Sequence, residues 1–405
     1  DYIGYVKTMM GFKAHQKEAL QLARQYWKAP ASEAFFPKAL ATVTAIAESG
    51  NTAAMAHLGR WYRLGSGVPI NLELSEKWYQ QAADLNDGAS TLALRKVGTG
   101  ALTIQGNSFY TGGVTVEAGR LVLGSNTALG RGTTVTVLSG ASLDINNTYH
   151  GNADNGARRF NVVLAGAGDG TAANPALANT NGGVPNASVG IFNLTLAANA
   201  TFGGNGGRFD IGRVEGSEAY GAISSAAGQT YTLTKVGTNQ VNLRGRVSDL
   251  ALVVNGGTVG FEDSDVGASV SATVNSGATL GSWGVRTVAA PFTLNNGANL
   301  NNLGGGTGTW TGAGTIGAVA GDAVNVSSTA GSLVFTGALS GPGRLNLNGT
   351  ANFVQLGGDN NALSGDVIVA STGNLGINHN NALGTGALTL TGAATLDNFS
   401  GAPVV

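Results

Sequence analysis

The stretch Leu94–Gly106 reads Leu-Arg-Lys-Val-Gly-Thr-Gly-Ala-Leu-Thr-Ile-Gln-Gly, and 139 residues later Leu233–Gly245 reads Leu-Thr-Lys-Val-Gly-Thr-Asn-Gln-Val-Asn-Leu-Arg-Gly. Lys96 and Lys235 are the only lysines after residue 92, which removes coincidence as an explanation. Leu102 and Ile104, like Val241 and Leu243, alternate with polar residues, the period of a strand with one face buried. The glycines between them suit tight turns.

Working outward, a third copy begins at Gly341, Gly343, Leu345, Leu347 and Gly349, offset by 243 from Gly98, Gly100, Leu102, Ile104 and Gly106. Further on, Thr111, Gly112, Val114 and Val116 return as Ser364, Gly365, Val367 and Val369 at an offset of 253. The segment Val274–Leu280 is a shorter echo. Short runs such as Leu121-Val122-Leu123 and Val135-Thr136-Val137 put alternate apolar side chains inward, with Gly and Asn turning the corners. This pattern predicts a parallel β-helix of roughly 14 coils over residues 93–405, at the 20 to 25 residues per coil usual for such solenoids. Between about 148 and 232 the pattern weakens, and long loops or irregular coils are expected there.

Composition agrees. The chain of 405 residues has 65 Gly and only 11% charged residues, against about 25% in ordinary globular proteins. Strands stacked one above another place similar groups in columns, where like charges repel and neutral Thr and Asn do not. With 42% hydrophobic residues and a net charge of -1, the chain has neither the self-repulsion of a disordered segment nor the basic surface that nucleic acid selects. Cysteine is absent, which excludes disulfides and cysteine metal sites. The chain opens at Asp1 without a basic and then apolar leader, so a signal peptide is expected to have been removed, and the natural chain to continue past Val405.

A composition break falls near residue 92: residues 1–92 hold 17 of the 45 Lys, Arg, Asp and Glu but 7 of the 65 Gly. Helical spacing runs through Leu20, Ala23, Tyr26 and Trp27, then Ala39, Val43, Ile46 and Ala47, closed by Gly50-Asn51. A hairpin follows from about Thr52 to Leu64 and from Leu72 to Leu85, turning at Gly65, Gly67, Val68 and Pro69.

Ala56, Leu58, Gly59, Tyr62, the Gly65–Pro69 turn, Trp78, Tyr79, Ala82 and Ala83 make this hairpin similar to a Sel-one-like repeat, a relative of the tetratricopeptide repeat. An earlier, degenerate copy is marked by Ala47 and Asn51, 36 residues before Ala83 and Asp87. Residues 94–123, with Tyr110, Thr111, Gly112, Gly113, Thr115, Val116, Ala118, Gly119 and Leu121 in place, resemble the passenger-associated strand repeat of bacterial autotransporters. That resemblance implies a right-handed parallel β-helix, export across an outer membrane with a translocator as partner, and a secreted or cell-surface location. The helical domain, 1–92, then stands where it can cover the first coil and dock other molecules.

Chemistry is sparse. His15, His57, His150 and His379 are scattered without metal-ligand spacing. Glu262, Asp263 and Asp265 could hold an ion or act as paired acids, yet Glu262–Gly267 also reads as a turn, where Asp is favoured anyway. Gly203–Asp210 faintly resembles a calcium-binding nonapeptide without its Asp or a tandem copy. Arg158-Arg159 and Arg244 with Arg246 read as solvated loop residues. Trp283, Trp310, Tyr220 and Tyr231 are the aromatics available for sugar stacking. The expectation is a structural or adhesive solenoid without cofactors that self-associates, through its helical domain or open ends, into filaments or matrix. The alternative is a protein that binds or degrades extracellular polysaccharide.

Overall fold

A computed structural model describes residues 35–84 and 93–401, apart from 107, 109–111, 131–133, 151–159, 170, 172, 184–188, 213–219, 329, 350, 351, 371 and 399. The leading helix expected around Leu20–Trp27 lies outside these residues, as do His15 and Arg158-Arg159. The chain divides into two units, one holding residues up to Leu94 with Ser108–Gly113 and Gly130–Gly132, the other the remainder.

Three helices form the described part of the first unit: α1 (Phe35–Glu48), α2 (Thr52–Leu64) and α3 (Leu72–Asp84). Caps explain their ends. Asn51 Oδ1 accepts the Ala54 N–H at 2.9 Å, and Asn71 Oδ1 accepts that of Leu74 at 2.9 Å, each satisfying an orphan donor of a first turn. Gly65 stops α2 in the left-handed region at φ 67°. Gly59 lets the hairpin close, because a Cβ there would lie 2.9 Å from the Tyr79 ring. Ser75 Oγ crosses between the helices to donate to the Gly59 carbonyl at 2.7 Å. Ala47, Ala54, Met55, Leu58, Trp78 and Ala82 pack as its core.

The second unit is a parallel β-solenoid of about 13 turns. Its strands fall into one 23-stranded and one 11-stranded sheet. The larger sheet comprises two ladders. One runs from Leu94–Lys96 to Thr395–Asn398, the other from Tyr149–His150 to Leu388–Leu390. Among the described residues they fuse where Gln240–Ser248 and Thr258–Val266 pass through the corner as unbroken nine-residue strands, with a register shift after Leu243. The smaller sheet, from Ala101–Ile104 to Leu339–Ser340, is the third ladder.

Inward side chains stack in columns. On the first ladder Val114 lies on Val135, then Val162, Leu194, Ile223 and Val247, and the column continues through Val266, Val288, Trp310, Phe335 and Leu356. All of them are buried. Burial of that kind supplies about 25 cal/mol per Å2 of apolar surface, the largest favourable contribution to the fold. Residues per turn along this column are 27, 32 and 29 from Val135 to Ile223, then 19 to 25 from Val247 to Ile377. The weak region of the sequence therefore holds longer coils of the same solenoid. The strand Phe353–Leu356 lies between Gly349 and Ser364, where the offset changes from 243 to 253.

Candidate functional site

Glu262 and Asp263 sit inside the strand Thr258–Val266, which corrects the reading of Glu262–Gly267 as a turn. Asp263 takes the irregularity of this through-running strand with a left-handed φ of 48°. The cost of that conformation is met by ionic bonds to two neighbouring coils. Arg244 Nη2 bonds Asp263 Oδ2 at 2.6 Å, and Arg286 Nη2 bonds the other oxygen.

Two coils before Asp263, Asp210 receives Arg208 through both oxygens, at 2.9 and 3.0 Å, and Arg244 Nη1 at 3.1 Å. Arg208 also reaches Glu262 at 2.5 Å, and Asn242 donates to the same carboxylate. The six charged groups thus join four successive coils in one network. Asp210 within it is fully buried, and burial pushes its carboxyl up to about 6 against the pull of Arg208 and Arg244. Arg244 is 6% exposed and lies in a strand, which corrects its reading as a solvated loop residue; Arg246, two positions on, is exposed.

Aromatic placement narrows the sugar-stacking idea. Trp310 is wholly buried against Phe261 and Phe292, so it belongs to the core rather than the flank. Trp283 carries the Arg208 guanidinium 5.6 Å from its ring centre, while Gly304 lies so close that a Cβ would come within 2.3 Å of the indole. Tyr220 is exposed and Tyr231 half-buried.

The stretch Gly203–Asp210 serves packing and the ion network. Gly203 makes room for the stem of Lys235, whose Cδ would lie 3.0 Å from a Cβ there, and Arg208 with Asp210 enters the network. Among the described residues no group of three or more His, Asp or Glu side chains could hold a metal ion. His379 Nδ1 accepts the Asn381 N–H at 3.1 Å, capping a turn. Burial, followed by the Arg60 charge, holds His57 below the usual histidine range. His150 falls in the short strand Tyr149–His150.

Two sites escaped the sequence reading. Arg208 and Asp210 stand two apart, hence on one side of a strand, a signal masked by the glycines before them. The lysines read as markers of a repeat, and their job became visible only in space. Lys96 Nζ donates to the carbonyls of Val97, Gly98 and Ala118 at 3.0, 2.6 and 2.9 Å. Lys235 Nζ donates to those of Val236, Gly237 and Gly256 at 2.9, 3.0 and 3.3 Å. Both point inward, and burial pushes the Lys235 ammonium down to about 7.

No curated protein and no solved structure matches the chain. No described helix is long and apolar enough to cross a membrane. Family models match two segments: residues 52–87, the α2–α3 hairpin, carry a Sel1 repeat, and residues 94–123, the first coils with the Lys96 cradle, carry a passenger-associated-transport-repeat, so that the solenoid fits a secreted autotransporter passenger domain.

Proposed function

We propose that this chain is a structural and adhesive passenger, displayed at or released from a bacterial surface, that works through shape and repeated edges rather than catalysis. Supporting this reading is the continuous inward column of the first ladder, an aliphatic and aromatic core shared by successive coils of the second unit. The network at Asp210 adds to it: Glu262 and Asp263 are bonded to arginines and so are poorly placed as acid and base. The passenger-type repeat implies an outer-membrane translocator as the export partner. The Sel1-type hairpin is the docking module for other proteins, and self-association yields filaments or matrix.

Protease treatment of intact producing cells should degrade the chain, whereas protection until lysis would overturn surface display. Electron microscopy of purified protein over a concentration series should show particles lengthening by addition; monodisperse particles at every concentration remove filament assembly. Polysaccharide turnover abolished by Asp263→Asn would replace the non-catalytic reading with an enzymatic one.

A further inference from the structure

Lys96 and Lys235 lie on different faces of the solenoid, the first on the ladder of Leu94–Lys96 and the second in the 11-stranded sheet through Tyr231–Val236. Their cradles nevertheless match atom for atom: the carbonyls one and two residues on, and one carbonyl at the following coil's corner. The cradle therefore travels with its local sequence and not with a particular face. Lys235 occupies a column otherwise aliphatic or aromatic, stacked between Phe202 and Val254.

We propose that these two lysines set register, each fixing its own corner through two carbonyls and locking the next coil through the third. A chain so rich in Gly, Asn, Thr and Val needs such a device. Sliding a strand by two residues keeps inward side chains inward, so alternation alone does not choose between registers. The ammonium does choose, because a slip moves the next corner by about 6 to 7 Å and leaves a buried charged donor and the Gly256 carbonyl without each other. The third copy makes the same connection differently: Leu339 replaces the lysine, and the buried Asn360 accepts the Leu339 N–H at 2.7 Å and donates to the Ala382 carbonyl at 2.6 Å.

The absence of cysteine makes the test clean. Thr234 pairs with Val253 on the outward side, so a Thr234→Cys, Val253→Cys chain reports the native register, and Thr234→Cys, Ala251→Cys reports a two-residue slip. Each pair is exposed to a short thiol cross-linker in the full chain, with and without Lys235→Met. The slipped cross-link should rise at least about tenfold in the Met background, the value of one hydrogen bond to a charged group. Native-only cross-linking there overturns the proposal. Should the Met chain fail to fold, Lys235→Gln, which keeps two donors, decides: native-only cross-linking supports register setting by the carbonyl bonds, whereas failure of both chains to fold, or slippage in the Gln chain, overturns it.

Discussion

The first and second copies of the repeat, beginning at Leu94 and Leu233, share a buried lysine, a left-handed glycine two residues later and two alternating aliphatics, yet they differ at the position before the closing glycine. Gln105 stands there in the first copy and is exposed; Arg244 stands there in the second and is buried between Asp210 and Asp263. Shared positions build the coil, and the position between inward residues is free to acquire local chemistry. In the second copy that freedom produced a corner in which the strand runs straight through, held by charges instead of by a turn.

The largest expected effect breaks this comparison directly. Arg244→Ala leaves Asp210 and Asp263 each short of one cation in a water-poor site and should cost about 3–5 kcal/mol. Gln105→Ala, at the matched position, should stay within about 0.5 kcal/mol. Chemical denaturation of both full chains, with hydrogen exchange across 240–266, measures the gap. Equal costs would mean that the two corners are held alike and that the ion network contributes nothing net.

The second effect is a pH dependence carried by Asp210, which binds Arg244 of the second copy, and by Lys235 within it. Asp210 titrates near 6 when folded against 3.8 when unfolded, so the folded chain binds its proton more readily. Stability from this group is therefore greatest below about 3.8, falls as pH rises to about 6, and is then constant, a change of about 3 kcal/mol. Lys235 acts on the other side: with a folded value of about 7 against 10.5, it costs most below about 7 and its cost disappears as pH rises towards 10.5. Both buried charges coexist between about 6 and 7, where this coil is weakest. Asp210→Asn should remove the acid limb and leave the alkaline one, as read by denaturation across pH; an unchanged acid limb assigns it to other carboxylates.

Legibility followed the same division between frame and filling. Lys96 and Lys235 revealed the strands and their repeat because stacking imposes a period that survives substitution. Glu262–Gly267 misled because Asp, Ser and Gly are turn formers by local chemistry, whereas this segment is kept extended by arginines from other coils, Arg244 and Arg286, which no local rule contains. Trp310 misled for a related reason. An aromatic flanked by threonines reads as exposed, but Thr309 and Thr311 alternate with it across the strand, and the column between Val288 and Phe335 takes the indole.

The smallest effect sharpens the comparison at a shared residue. Gly98 and Gly237 adopt nearly the same left-handed conformation, φ 76° and 77°, after their lysines. A Cβ on Gly98 meets nothing within 4 Å, while one on Gly237 would lie 2.2 Å from the Gly204 carbonyl oxygen of the preceding coil. Gly98→Ala should therefore cost only the left-handed penalty, about 1–2 kcal/mol. Gly237→Ala should cost that amount and more, because backbone cannot move aside as a flexible side chain can. Thermal melts of the two single variants separate the contributions. A common cost would show that conformation alone fixes this glycine, and a larger loss at 237 that the preceding coil reads it too.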